Sequence, residues 1–446
     1  MMVILRKKKL KLFFKILFFI LILIYPSFLF ISFEFKPQKE ISKNLKSSSS
    51  TEAKSIILMI GDGLGFEHLK LARWVEMGKN NPFLVEKLPF HLNVTTYSAD
   101  NLITDSAAAA TAIATGNKTN NGMIAVSPLF KPLETIFETS RQYARSTGII
   151  TTTSVTHATP AAFITHVKSR SNITEISRQI IENSSINILL GGGKDHFSAS
   201  QLIQLEANGY SLIENRSELI KANSSNIIGL FAPTQLPYEI SRDEEVIPSL
   251  SEMTTKALEI LSQDPEGFFL MVEGGLIDHG GHANNKTNVA LETIEFSKAV
   301  NNAISFSKSR NNVLLIVTAD HETGGLRILN DTLNNVIPSS NKTPEENRVI
   351  RFERINNISV SWTTTYHTNL DVPFFGYRID FYGLNNLSVI DNTEIFNIMK
   401  AFISDVSIND SDFAHIILIG VGITGFSIAG IVILYSIKNK KIQKKK

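Results

Sequence analysis

The chain of 446 residues contains no cysteine. That excludes disulfides, thiolate-bound metals and cysteine nucleophiles, and leaves any chemistry to His, Asp, Glu and hydroxyl groups. A large excess of either charge is also missing, since 44 Lys and Arg face 42 Asp and Glu. The balance hides an uneven distribution. Six cations (Arg6, Lys7, Lys8, Lys9, Lys11 and Lys15) open the chain, and six more (Lys438, Lys440, Lys441, Lys444, Lys445 and Lys446) close it. Without those twelve, 32 basic residues face 42 acidic ones, a body of about −10, and such a surface repels nucleic-acid phosphates. No nucleic-acid partner is expected.

Charge is missing altogether from two long runs. Residues 16–33 are apolar apart from Tyr25, Pro26, Ser27 and Ser32, and they follow the first basic cluster. Residues 1–35 therefore read as a signal peptide or an uncleaved signal anchor. Residues 36–54, with Ser47 to Ser50 among them, form a polar linker. At the other end, residues 416–437 are uncharged and long enough to cross a bilayer. The basic residues 438–446 follow at once, a stop-transfer pattern that predicts a transmembrane helix with a cytoplasmic tail. A lipid-anchor signal normally ends without such an extension. The body, residues 55–405 with a tether over 406–415, is thus expected at the cell membrane on the extracytoplasmic side. Sequons at Asn93, Asn117, Asn172 and Asn285 permit glycosylation there.

Within the body, short apolar runs at 56–60, 148–152, 186–190, 268–272 and 313–317 read as buried strands. The capping-box match Ser249 to Glu252 opens a predicted helix that ends near Ser262. Val289, Ile294, Val300 and Ile304 have the spacing of an amphipathic helix over 289–307. Strands alternating with helices imply an α/β domain around a largely parallel sheet.

The polar residues gather where these strands end. The first strand runs into Gly61-Asp62-Gly63, and the second into Thr156-His157-Ala158-Thr159. The run 268–272 leads to Glu273 and then Asp278-His279-Gly280-Gly281-His282, and 313–317 leads to Asp320-His321. Sites in open α/β sheets form beyond the carboxyl ends of the strands, so these stretches are expected to share one pocket. Asp and His without Cys suit catalytic zinc. Asp278 and His282, four apart, share a face if their segment is helical. Glu273, Asp62 and Thr159 offer hard oxygens that suit magnesium.

One more stretch organises the reading, Thr104-Asp105-Ser106 followed by Ala107 to Ala110. It sets a hydroxyl at the start of a predicted helix, where the positive end of the dipole suits an anion. An ordinary N-cap gives the same local pattern. The partners at the strand ends favour Ser106 as a nucleophile.

From residue 55 to about 377, the sequence resembles the alkaline phosphatase family, with motifs in that family's order. Thr104-Asp105-Ser106-Ala107-Ala108-Ala109-Ala110-Thr111 is similar to its nucleophile signature. The resemblance implies a three-layer α/β/α sandwich with a large, mostly parallel central sheet, and a site for two zinc ions and one magnesium. Asp278, His282 and His367 would hold the first zinc; Asp62, Asp320 and His321 the second, with Ser106 completing its shell. Magnesium would take Asp62, Thr159 and Glu273, and Arg170 would clamp phosphate. Where some members have an aspartate near the magnesium this chain has His157, and where some have a lysine it has His279. Both are expected to reach phosphate or magnesium through water. The resemblance also implies a homodimer and phosphate monoester substrates. The short interval between His321 and His367 leaves no room for a large inserted crown. His68, His91, His166, His196 and His415 read as structural or surface residues.

Two rivals predict something different. A phosphodiesterase or phosphonate hydrolase of the same superfamily often has Thr as nucleophile and lacks the clamp arginine. An inactive phosphate-binding ectodomain would have lost ligands, and no ligand is missing from this sequence.

Overall fold

A computed structural model describes residues 54–182, 185–384 and 387–404. The strands are β1 (Ser55–Gly61), β2 (Phe90–Thr95), β3 (Ser146–Ser154), β4 (Ile188–Gly192), β5 (Ser211–Ile213), β6 (Ile227–Leu230) and β7 (Phe268–Gly274). They continue as β8 (Val313–Ala319), β9 (Glu322–Thr323), β10 (Arg327–Asp331), β11 (Ile358–Ser361), β12 (His367–Thr368), β13 (Val372–Tyr377) and β14 (Val389–Asp391). Ten of them form one sheet in the order β14-β2-β13-β8-β1-β7-β3-β4-β6-β5. Only β13 runs against its neighbours, pairing antiparallel with both β8 and β2.

The five sequence-predicted strands are β1, β3, β4, β7 and β8. Apart from half-buried Ser154 they are buried throughout, because parallel strands are covered on both faces and so read as unbroken apolar runs. Two adjacent rings on β7 show the layering. Phe268 meets Phe306 of the helix Lys286–Lys308, whereas Phe269 stacks on Phe163 of the helix Ala158–Ile164. Neighbouring strand residues point to opposite faces, so these two helices cover opposite sides of the sheet. The expected helix after Ser249 runs Leu250–Leu261, with the capping box formed.

The helix Ser106–Thr115 is buried along its whole length, since Ala and small hydroxyl residues let neighbours approach on every side. It ends at Gly116, which takes a left-handed φ of 69° where a Cβ would stand 2.7 Å from the Phe396 ring. Phe396 belongs to the last described helix, Thr393–Ile403. Among the described residues, no helix is long and apolar enough to cross a membrane. The expected spans at 16–33 and 416–437 lie outside the described residues, as does His415. Between His321 and His367 the chain forms only the helix Pro344–Asn356 and short strands, in keeping with the absence of a crown.

Candidate active site and metal centre

Four adjacent strands, β8-β1-β7-β3, deliver most of the candidate residues from their carboxyl ends. Asp62 follows β1, His157 and Thr159 follow β3, Glu273 lies near the end of β7, and Asp320-His321 follow β8. Asp278 and His282 sit on the short helix Leu276–His282, so the expected shared face forms. Next to Asp62, Gly63 has φ 73° and its Cα approaches Asp278 so closely that a Cβ would lie 2.8 Å from the Asp278 backbone. Only glycine fits there.

Three groups of side chains converge. Asp278, His282 and His367 form the first, Asp62, Asp320 and His321 the second, and Asp62, His157 and Glu273 the third. In the first, His282 Nδ1 meets the Thr365 carbonyl at 2.6 Å and His367 Nδ1 meets the Thr104 carbonyl at 2.8 Å. A carbonyl only accepts, so both Nδ1 atoms carry protons, and in the neutral rings both Nε2 atoms present lone pairs. Those two Nε2 atoms stand 3.1 Å apart. Two facing lone pairs cannot satisfy each other, but a cation between them can. The Asp278 carboxylate lies 3.4 Å from one and 3.5 Å from the other.

In the second group, Asp320 Oδ1 accepts from the Gly63 and His321 amides at 3.1 and 2.9 Å. Its Oδ2 and the Asp62 Oδ1 are buried with no hydrogen-bond partner. Both lie close to His321 Nε2, at 3.3 and 3.5 Å. In the third group, Glu273 Oε1 and His157 Nδ1 are likewise buried and unpartnered, 3.8 Å apart. Thr151 and Thr153, two apart on β3, hydrogen-bond the other Glu273 oxygen. Thr159 Oγ1 reaches Asp62 Oδ2 at 3.3 Å.

The electrostatics agree with this geometry. Asp62, Glu273, Asp278 and Asp320 bring four buried carboxyl groups together. Burial, reinforced by the neighbouring carboxylates, holds Asp62 well above the usual carboxylate range and pushes Asp320 up to about 8. Burial depresses His321, His367 and His279. Unpaired buried carboxylates are costly, and divalent cations remove that cost. The donor set of oxygens and imidazoles fits zinc in the first two groups and a harder ion at the third.

Ser106 Oγ lies 3.1 Å from His321 Nε2, beside the second group. The helix cap is Asp105 and not Ser106: Asp105 Oδ1 accepts from the Ala108 amide at 3.0 Å, and Ser106 is the first helical residue. The hydroxyl is thereby left to the site. Asp105 Oδ2 also takes the Arg170 guanidinium at 3.0 Å, while Arg170 Nη2 donates to His157 Nε2 at 3.0 Å. His157 thus touches Arg170 directly, a contact that the sequence reading did not include. Its ring meets that of His279 edge-on at 6.0 Å. The sequence reading missed Asp105 as a partner of Arg170, and also Thr151, Thr153 and Thr323. Only Asp105 left a signal, its place before a helical run.

The other histidines stay apart. His68 accepts from the Gly65 amide, His91 meets the Leu88 carbonyl, His166 pairs with Glu138 and His196 with Thr156. A cleft of about 860 Å³ lined by Arg216, Glu239, Arg242, Glu295 and Arg351 holds none of the candidate residues. Its charges are already paired, as in Arg242 with Glu239 and Arg351 with Glu76.

Residues 53–359 match the model of the alkaline phosphatase family. Alkaline phosphatase 3 of Bacillus subtilis is 33% identical, over 82% of this chain and 92% of its own length. The cold-active alkaline phosphatase of a Shewanella species superposes with a TM-score of 0.68 at 30% identity, covering 78% of this chain and 99% of that one. The alkaline phosphatase of the Antarctic bacterium TAB5 gives a TM-score of 0.65 at 28% identity, over 79% of this chain and 98% of that one. A mutant of that enzyme has been solved with Mg bound in its M3 site.

Proposed function

The chain belongs to the alkaline phosphatase family and is an alkaline phosphatase, and on that premise we propose that it hydrolyses phosphate monoesters through a phosphoserine on Ser106. Asp278, His282 and His367 would hold one zinc, Asp62, Asp320 and His321 a second, and Asp62, Thr159 and Glu273 a magnesium. These ions, when bound, supply positive charge that favours the alkoxide form of a hydroxyl and stabilises a departing oxygen. The observation that carries the reading is the Ser106 hydroxyl, buried 3.1 Å from His321 Nε2 at the positive end of a ten-residue helix.

Ser106 Oγ attacks phosphorus in line with the ester bond. The new Oγ–P bond forms as the ester P–O bond breaks, and the alcohol leaves. Water then attacks the phosphoserine, restores Ser106 and releases inorganic phosphate. Arg170 offers a planar fork to two non-bridging oxygens, and Asp105 and His157 hold that fork in place. His157 and His279 would stand beside the magnesium position. These contacts grip the phosphoryl group and not the alcohol, so the substrate range is broad. A serine nucleophile with a clamp arginine favours monoesters over diesters.

The remaining parts of the reading come from the sequence alone. The uncharged run at 416–437 and the basic residues after it support an integral anchor, with the catalytic body outside the cytoplasm. The family supports a homodimer. A chromogenic phosphate monoester tests the activity: turnover at alkaline pH, loss with EDTA and recovery with zinc plus magnesium are expected. A faster rate on a diester would overturn the monoesterase reading.

A further inference from the structure

Thr323 touches one member of each of the first two groups. It lies on β9, fully buried, and faces His367 of β12 across the antiparallel ladder. Its Oγ1 stands 2.5 Å from Asp278 Oδ1 and 3.3 Å from His321 Nδ1. A carboxylate oxygen only accepts, so the one hydroxyl proton goes to Asp278. The oxygen's lone pair is then left to accept the proton on His321 Nδ1. That direction keeps the His321 Nε2 lone pair turned toward Ser106, Asp62 and Asp320. His282 and His367 receive the same orientation from main-chain carbonyls. For His321 the partner is a side chain.

We propose that the Thr323 hydroxyl is a positioning residue shared by both zinc positions, orienting Asp278 for one and His321 for the other. The proposal rests on the two-zinc reading of the site. Its chemistry is a relay of two hydrogen bonds, with one polar atom serving two ligand groups that are 43 residues apart in sequence. Loss of that one hydroxyl releases both ligands at once, whereas loss of a partner private to one group would disturb that group alone.

The test is a zinc titration of the full chain against a competing chelator, reading the two binding steps separately by metal analysis. Thr323→Val keeps the β-branched shape, which matters because a Cβ at Gly281 would already stand 3.0 Å from Thr323 Cγ2. Both steps should weaken, each by roughly 10- to 100-fold, the range for losing a partner of a metal ligand. Thr323→Ser, which keeps the hydroxyl, should restore both. If the valine variant does not fold, Thr323→Ala serves as the second deletion. Unchanged affinity, weakening of one step alone, or failure of serine to restore binding would overturn the proposal. A parent chain with no two tight zinc steps would overturn the two-zinc reading and this proposal with it.

Discussion

Asp105 and Arg170 are joined at 3.0 Å through Asp105 Oδ2, and the same carboxylate caps the Ser106 helix through Oδ1. One side chain thus fixes both the start of the helix that carries the hydroxyl and the Arg170 guanidinium. Asp105→Asn retains a capping oxygen but turns an NH2 toward the Gly122 amide that Oδ2 accepts from, so it should lower the melting temperature slightly. Asp105→Ala also loses the cap and should cost about 1 kcal/mol more. Both variants free Arg170 and should weaken inhibition by inorganic phosphate. Thermal melts and phosphate inhibition constants for the pair separate the two roles.

Arg170 itself should resist conservative replacement. Lysine offers a point charge and cannot present two parallel donors to a phosphoryl group. Charge-assisted hydrogen bonds are worth about 1.5–3 kcal/mol, so Arg170→Lys should lower kcat/KM for a monoester by one to two orders of magnitude. A loss below threefold would contradict the clamp role.

Metal removal should make stability fall with pH. In the metal-free protein, Asp62 and Asp320 have carboxyl groups raised above their unfolded value of 3.8, Asp320 to about 8, with burial as the main cause. Between those values the folded chain binds more protons than the unfolded chain, so stability declines as pH rises from about 4 to about 8. Bound cations cancel that slope. The gap in melting temperature between metal-loaded and EDTA-treated protein should therefore widen from pH 5 to pH 8. Parallel profiles would contradict the carboxylate cluster as the metal site.

Another buried carboxyl lies away from the site. Glu292 is held well above the usual range by burial, with Glu239 nearby adding to it, and its Oε1 accepts from the Glu239 amide at 2.7 Å. Gln offers the same acceptor without a charge. Glu292→Gln should thus stabilise the chain more at pH 9 than at pH 6, as read from paired melts.

How much of this was legible in the sequence depends on what holds each part. β1, β7 and β8 are unbroken apolar runs because both faces are covered, and any such run is visible. β2 alternates buried and exposed residues, a period-2 pattern that His91 and Asn93 carry but that went unread. β13 escaped because Pro373 argues against a strand in the interior of a sheet. β5 and β14, at three residues each, are too short to show a period. Asp62, His157, Thr159, Asp320 and His321 were legible because each follows a strand, and Glu273, Asp278 and His282 because they close or follow β7. His367 and Arg170 came only with the family resemblance. Thr151, Thr153 and Thr323 were not legible, since their roles are hydrogen bonds to residues 45 to 122 positions away.

The claim on which the account depends is covalent, so the direct measurement is mass spectrometry of the protein after an acid quench during turnover of a phosphate monoester. The account predicts a phosphoryl group on the peptide containing Ser106, absent from Ser106→Ala, which should still bind zinc but lose turnover. A phosphoryl group on another residue, or undiminished turnover by Ser106→Ala, would contradict it.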